Sequence, residues 1–250
     1  MAGHSKFANI KHRKGAQDAK RAKIFTKLTR EITISAQQGQ PDPNFNPRLR
    51  NALISARKAG VPKDRIDAAI KKGSGELQGE NYEEISYEGY GSGGVAFIVD
   101  ALTDNRNRTA SDVRSTFSKN GGNLGESGSV GFMFERVGIV EYQFETVSAD
   151  EIFEAAVEAG AGNAESDEEM HVITCAIEDL NNVRDALIEK YGDPESARIG
   201  WIAKITNDVT SVEQAESLMK LVDALEDLDD VQHVTGNFII PDEIADKLGE

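Results

Sequence analysis

A chain of 250 residues with 39% hydrophobic and 28% charged residues has the make-up of a folded globular protein, and its length favours two or three domains over one core. The longest purely apolar run, Val95 to Val99, is far short of the roughly 20 residues a membrane span needs. A single cysteine, Cys175, excludes an intramolecular disulfide framework and a cysteine-based zinc site.

The formal net charge of -15 averages over two opposite objects. Residues 1–73 carry 17 Lys/Arg against 5 Asp/Glu, a net of +12, whereas residues 74–250 carry a net of -27. Such asymmetry points to an anionic partner for the basic part, with a polyanion drawn to one end and repelled by the other. No apolar stretch follows the basic start, so a secretory signal is not expected. Organellar presequences share the basic, acid-poor composition, but here the basic run continues into a helical pattern, and a cytoplasmic location is expected.

In chain order, "AQDAKRAKIFTKLTREITISAQQG" predicts a helix closing on Gly39. At 100° per residue Ile24, Phe25, Leu28 and Ile32 form a core-facing stripe, and Lys20, Lys23, Lys27 and Arg30 form an adjacent basic stripe, with Arg21 off that arc. Two shorter helices follow, "PRLRNALISARKAG" and "PKDRIDAAIKKG", each with Pro at its start and Gly at its end. A glycine-rich hinge, "GSGELQGENYEE", precedes the buried strand "GVAFIVDAL". The helix "NRTASDVRSTFSKNGG" comes next, with Thr109 read as N-cap and Asp112 completing a capping box. "SVGFMFER" and "GIVEYQF" read as two strands with Gly138 between them. From the second of these the order is β-α-β-β-α-β to Ile205, the ferredoxin-like sequence of elements. A helix (212–228) and a strand (231–240) close the chain and are expected to complete the sheet begun by "GVAFIVDAL".

The expected class is therefore α+β. A basic helical domain spans 1–76, a discontinuous α/β domain spans 77–136 and 206–250, and a ferredoxin-like domain is inserted at 137–205.

Catalysis finds little support. The four histidines, His4, His12, His171 and His233, show no metal-binding spacing, and His171 shares a strand face with Cys175 as core residues would. The acidic runs "ESDEEM" and "EDLDD" lack a calcium-loop pattern and read as solvated surface. The glycine-rich "GSGG" and "GGNLGESGSVG" lack the Lys-Ser/Thr of a phosphate-binding loop and read as turns. No enzyme activity, cofactor, metal or small-molecule substrate is expected.

Nucleic-acid binding is better supported, because clustered Lys and Arg gain affinity by releasing phosphate counterions without a fixed site geometry. Lys6, Lys11, Arg13 and Lys14 lie in a Gly/Ser/Asn-containing arm with His12 as a further donor, and Lys20, Arg21, Lys23, Lys27 and Arg30 follow on the helix. The alternative is a solvated helix face, yet only Asp18 and Glu31 are there to pair with these cations. Phe7 is placed to stack on a base or to anchor a core, and the core role is the expected one. Lys71 and Lys72, with Lys63 and Arg65, are secondary candidates diluted by Asp64 and Asp67. Arg106 and Arg108, before a helix N-terminus, are further candidates that could instead pair with nearby acids. No segment reads as a helix-turn-helix with a base-reading helix.

The segments "MAGHSKFANIKHRKGAQDAKRAKIFTKLTREI", "NPRLRNALISARKAGVPKDRIDAAIKKG", "NYEEISYEGYGSGGVAFIVDALTDNRNRTASDVRSTFSKNGGNLGESGSVGFMFER" and "FIIP" together resemble the YebC/PmpR family, which also contains the mitochondrial translational activator of cytochrome oxidase. Phe7 stands where that family usually has Trp. The resemblance implies a helical domain followed by two α/β domains in a cytoplasmic protein. It also implies one of two roles: a DNA-binding transcriptional regulator, or a translation factor contacting ribosomal RNA on the ribosome. A protein-interaction module with an acidic binding surface is the third reading.

Overall fold

The computed structural model describes residues 17–248, which form two compact units. Residues 82–135 with 201–248 make one, and residues 17–81 with 136–200 make the other. The chain passes between them after Asn81, within strand β4 and within strand β7.

The second unit begins with three helices, α1 (Gln17–Gln38), α2 (Pro47–Lys58) and α3 (Lys63–Gly73). The later turns of α1 are rich in Thr and Ser, and Thr26, Thr29, Thr33 and Ser35 direct their hydroxyls to carbonyls four residues back along the helix. Asn46 caps α2 by accepting from the Leu49 N–H at 3.0 Å, with Pro47 at the first helical position. Ile32, Leu49, Leu53, Ile66 and Ala69 build the core between these helices, with Phe25 and Leu28 packed against it. Ile24, expected in that stripe, is 47% exposed. Ile24 stands at one edge of the stripe, whereas Phe25 and Leu28 are the residues of that turn packed against the core.

The sequence pattern places Gly73 just past the end of α3, but it is the last helical residue. A β-carbon there would meet the Thr33 carbonyl oxygen and lie 2.7 Å from the Ala36 Cβ. The residue is glycine because α3 crosses α1 backbone to backbone at this point.

The same unit holds a four-stranded sheet. Strand β4 (Phe134–Gln143) leads to helix α5 (Ala149–Glu158), then β5 (Asn163–Ser166), β6 (Met170–Cys175), helix α6 (Leu180–Tyr191) and β7 (Ser196–Ala203). The order across the sheet is β5-β6-β4-β7, the ferredoxin-like arrangement, with β4–β6 and β5–β6 antiparallel. Ile152, Ala155, Val183 and Leu187 from the helices pack on Val140, Tyr142 and Ile173 of the strands. Gly138 is not a break between strands. It lies inside β4, where a β-carbon would stand 2.8 Å from Cys175 Sγ and 2.9 Å from Leu180 Cβ. The strand starts at Phe134 because Gly131–Met133 forms a 3-10 turn.

The first unit is built on the sheet order β3-β1-β2-β9. Strand β1 (Glu83–Tyr90) and β2 (Ala96–Thr103) form a hairpin, followed by helix α4 (Arg106–Lys119) and the short β3 (Asn123–Leu124). After the inserted sheet come β8 (Asn207–Asp208), α7 (Val212–Glu226), β9 (Val231–Gly236), β10 (Phe238–Ile239) and α8 (Asp242–Leu248). β9 pairs antiparallel with β2, so the closing segment does complete the sheet that "GVAFIVDAL" begins. Phe97, Val99 and Ala101 face Val113, Phe117, Leu218 and Leu221 of α4 and α7. Ala96 and Ile98, on the other face of β2, meet Val130, Phe134 and Trp201. That two-sided burial explains a continuous apolar run in an antiparallel strand.

β1 falls partly within the stretch read as a hinge. Its alternation is weak because Glu84, Ser86 and Glu88 lie on the face away from the helices and Glu83 on the other face is an acid that meets Arg106, leaving Tyr87 and Gly89 as its buried positions. α4 starts earlier than expected. Asn105 is its N-cap, accepting from the Arg108 N–H at 3.1 Å, while Thr109 is buried inside the helix.

Candidate nucleic-acid interface

The three helices carry the candidate cations of the described chain. Lys6, Lys11, His12, Arg13 and Lys14 lie outside the described residues, and Phe7 with them; for Lys20 only the backbone is described. Arg21 is exposed, its guanidinium 5.4 Å above the Phe25 ring and beside Gly60, in the turn between α2 and α3. Lys23, Lys27 and Arg30 are half-exposed along α1 and each keeps a partner.

The other cations of this module divide into two groups. Arg48 is bound by Glu31 at 2.7 Å, Lys58 by Glu195 at 3.3 Å, and Arg50 holds the carbonyls of Pro43 and Asn44 at 3.1 Å each. Arg57, Lys63, Arg65, Lys71 and Lys72 are exposed and make no ion pair among the described residues. Asp64 and Asp67, expected to dilute the charge of α3 from within, form no ion pair with its lysines or arginine. Lys71 and Lys72 occupy the last turn of the helix, where the dipole favours positive charge. The residues between α2 and α3, Ala59 to Pro62, form a short connection in which Gly60 takes a positive φ.

Arg106 and Arg108 are in a different state. Both lie in the first turn of α4. Arg106 is 3.6 Å from Glu83, and Arg108 binds Asp104 at 2.6 Å and the buried Asp230 at 2.8 Å. Asp230 also accepts from the Thr109 hydroxyl at 2.6 Å. The hydrogen bond to Asp230, then that to Asp104, raise the Arg108 pKa further and hold its guanidinium charged. Arg108 ties α4 to the turn that starts β9, and Arg106 faces the start of β1.

The glycine-rich segment 121–131 has its own occupant. Glu88 accepts the Gly128 N–H at 2.7 Å on one oxygen and the N–H groups of Val130 (2.6 Å) and Gly131 (2.8 Å) on the other. Burial would raise the Glu88 carboxyl, but the three backbone donors outweigh it and hold the group below its ordinary range. The N–H groups of this segment are thus taken by a carboxylate of the chain itself.

His171 and Cys175 are both buried on one face of β6. His171 Nδ1 lies 2.7 Å from the Ser166 hydroxyl and Nε2 lies 2.9 Å from the Val147 carbonyl, an arrangement that ties the β5–β6 hairpin to the start of α5. Burial, with Asp179 and Glu178 adding to it, pushes the Cys175 thiol up to about 11, the state of an inert core thiol. Among the described residues no three His, Cys, Asp or Glu side chains are placed to hold a metal ion together, and no helix is long and apolar enough to cross a membrane.

Fold and surface together define an α+β protein in which a basic three-helix module shares one compact unit with a ferredoxin-like sheet. Family models for the TACO1/YebC protein N-terminal domain and for the TACO1/YebC second and third domain match residues 5–76 and 82–238. The chain belongs to the TACO1/YebC family. It is 54% identical over 246 residues to a protein of Wolbachia pipientis wMel named a probable transcriptional regulatory protein, covering 98% of this chain and 100% of that one. A Rickettsia bellii (strain OSU 85-389) protein of the same description is 54% identical over 248 residues, covering 99% and 97%. The crystal structure of a conserved hypothetical protein from Aquifex aeolicus, Aq1575, superposes with a TM-score of 0.88 at 50% identity, covering 94% of this chain and 97% of that one.

Proposed function

We propose that this protein is a non-enzymatic regulator that binds duplex DNA through its basic three-helix module, in transcriptional control. The observation that carries this reading is the set of exposed cations without acidic partners among the described residues: Arg57, Lys63, Arg65, Lys71 and Lys72, joined by Arg21. Phosphate contacts need such uncommitted charge, because a cation already bound to a carboxylate releases nothing when a phosphate approaches. The relatives named as transcriptional regulatory proteins support duplex DNA as the target. The acidic remainder of the chain repels a polyanion, so one end docks and indiscriminate coating is discouraged.

The test is a titration of the full chain and its Lys63→Glu/Lys71→Glu/Lys72→Glu variant against labelled random-sequence duplex DNA, with purified ribosomes as a second target. Loss of duplex binding by the variant is the expected result. Intact binding by the variant contradicts the role given to the module. A ribosome complex that resists both excess duplex and salt would move the function to translation, on ribosomal RNA.

A further inference from the structure

Phe45 is the most exposed large hydrophobic side chain among the described residues, at 73%. It sits in the connection between α1 and α2, and this loop is held in one shape. Asn46, itself buried, donates to the Ser35 carbonyl at 2.7 Å and the Gln40 carbonyl at 2.8 Å while capping α2. The Asn44 and Phe45 N–H groups both bond to Asp42, at 2.8 and 3.1 Å. Arg50 reaches back to grip the carbonyls of Pro43 and Asn44. Pro41, Pro43 and Pro47 remove further backbone freedom. A loop braced on both sides of one residue, which it turns out into water as a phenyl ring, has gained nothing for the core by doing so.

The surroundings of the ring indicate its ligand. The loop leaves the last turns of α1, and Gly73 at the end of α3 abuts those same turns at Thr33 and Ala36. Lys71 and Lys72 therefore stand at the same end of the module as Phe45, both exposed and without an ion pair among the described residues. The acid of the loop, Asp42, is engaged by its own turn. An exposed aromatic face held in a fixed loop, with uncommitted cations at the same end of the module, is a combination suited to a nucleotide in a single strand: the ring stacks on the base and the ammonium groups take the phosphates.

We infer that Phe45 is a base-stacking residue, and that with Lys71 and Lys72 it forms a site for an unpaired nucleotide of single-stranded nucleic acid. This rests on the nucleic-acid reading above and extends it, since a duplex with all bases paired offers Phe45 no face. The site adds to the phosphate contacts of the module a preference for melted, looped or single-stranded segments.

The experiment measures the affinity of the full chain for a short mixed-sequence single strand, as DNA and as RNA, and for a blunt duplex of the same sequence. The chains compared are the unsubstituted protein and the variants Phe45→Ala, Phe45→Leu and Phe45→Trp. Stacking predicts roughly ten-fold weaker single-strand binding for Phe45→Ala, with duplex binding unchanged. It also predicts that Phe45→Leu behaves like Phe45→Ala, while Phe45→Trp restores affinity and its added indole fluorescence is quenched on binding. Comparison of the two strands shows which nucleic acid the site takes. Equal effects on single strand and duplex, no effect of Phe45→Ala, or full rescue by Phe45→Leu would each overturn the inference, the last by indicating an apolar anchor for a protein. If the unsubstituted chain binds neither strand nor duplex, the nucleic-acid reading itself fails and the site fails with it.

Discussion

The guanidinium of Arg184, on α6, donates through Nη1 to the side-chain oxygen of Asn51, on α2 and 133 positions earlier in the chain. Arg184 is fully buried and Asn51 nearly so. Asn181 at 2.9 Å and Asp185 at 2.6 Å take further hydrogens of the same guanidinium. With Arg50–Asp185 and Lys58–Glu195 outside it, this contact makes the basic helices and the ferredoxin-like sheet one compact unit. Arg184→Met fills the volume but leaves Asn51 without its partner, and a cost of about 1–3 kcal/mol is expected. Adding Asn51→Leu removes the orphaned oxygen and should recover some of the loss. Denaturant unfolding of the two single variants and the double variant measures this; simple additivity of the two singles would show that the pair does not act together.

Glu88 predicts a pH dependence. Its folded pKa is depressed below the ordinary value of 4.5, so its contribution is fully present above that value and disappears as pH falls through the folded pKa. Glu88→Gln turns an amide donor toward backbone donors and should destabilise the protein by about 1–2 kcal/mol at neutral pH. The gap between the two proteins should narrow as the pH drops below 4.5. Melting curves of both across that range test it, and a gap independent of pH would contradict the role of the charge.

Asp230 collects hydrogen bonds from Thr103, Thr109 and Arg108 at one buried carboxylate. Asp230→Ala is expected to cost about 2 kcal/mol, since three groups lose a shared acceptor. Arg106→Ala with Arg108→Ala should lower stability by less, because both side chains are partly exposed, and should leave nucleic-acid affinity unchanged. Loss of affinity without loss of stability would return these arginines to the binding surface.

Gly73→Ala should cost about 1–3 kcal/mol, the range for overpacking, because the atoms a methyl group meets include α1 backbone rather than flexible side chains. Gly75→Ala, at a position with no atom within 4 Å but a φ of +82°, separates backbone strain from crowding. Gly73 has no positive φ, so an unchanged or higher stability of Gly73→Ala would remove crowding as its explanation.

The helices and the ferredoxin-like order were legible because their patterns are local: proline and glycine bracket α2, and apolar residues recur at helical spacing along α1. The places where local pattern misled are those where distant residues decide. Thr109 looked like a cap, but Asp230, far along the chain, draws its hydroxyl inside the helix. Gly138 looked like a break, but Leu180 packs over it within a continuous strand. The candidate site was legible as charge and composition. Which cations stay clear of acids was not, because pairing depends on folded distances: Asp64 and Asp67 share α3 with Lys63 and Lys71 and form no ion pair with them. Phe45 gave no signal either, since a phenylalanine in a proline-rich loop is as readily a core anchor until its exposure is known.

The most direct measurement of the central claim is the salt dependence of duplex DNA binding by the full chain and by its Lys63→Ala/Arg65→Ala/Lys71→Ala/Lys72→Ala variant. Each phosphate contact contributes about 0.9 to the slope of log affinity against log salt concentration. If these four side chains bind phosphates, the variant binds more weakly and its slope is shallower by roughly 3–4. An unchanged slope and affinity would mean that the exposed face of α3 is solvated surface and that the basic module does not dock on nucleic acid in the way described.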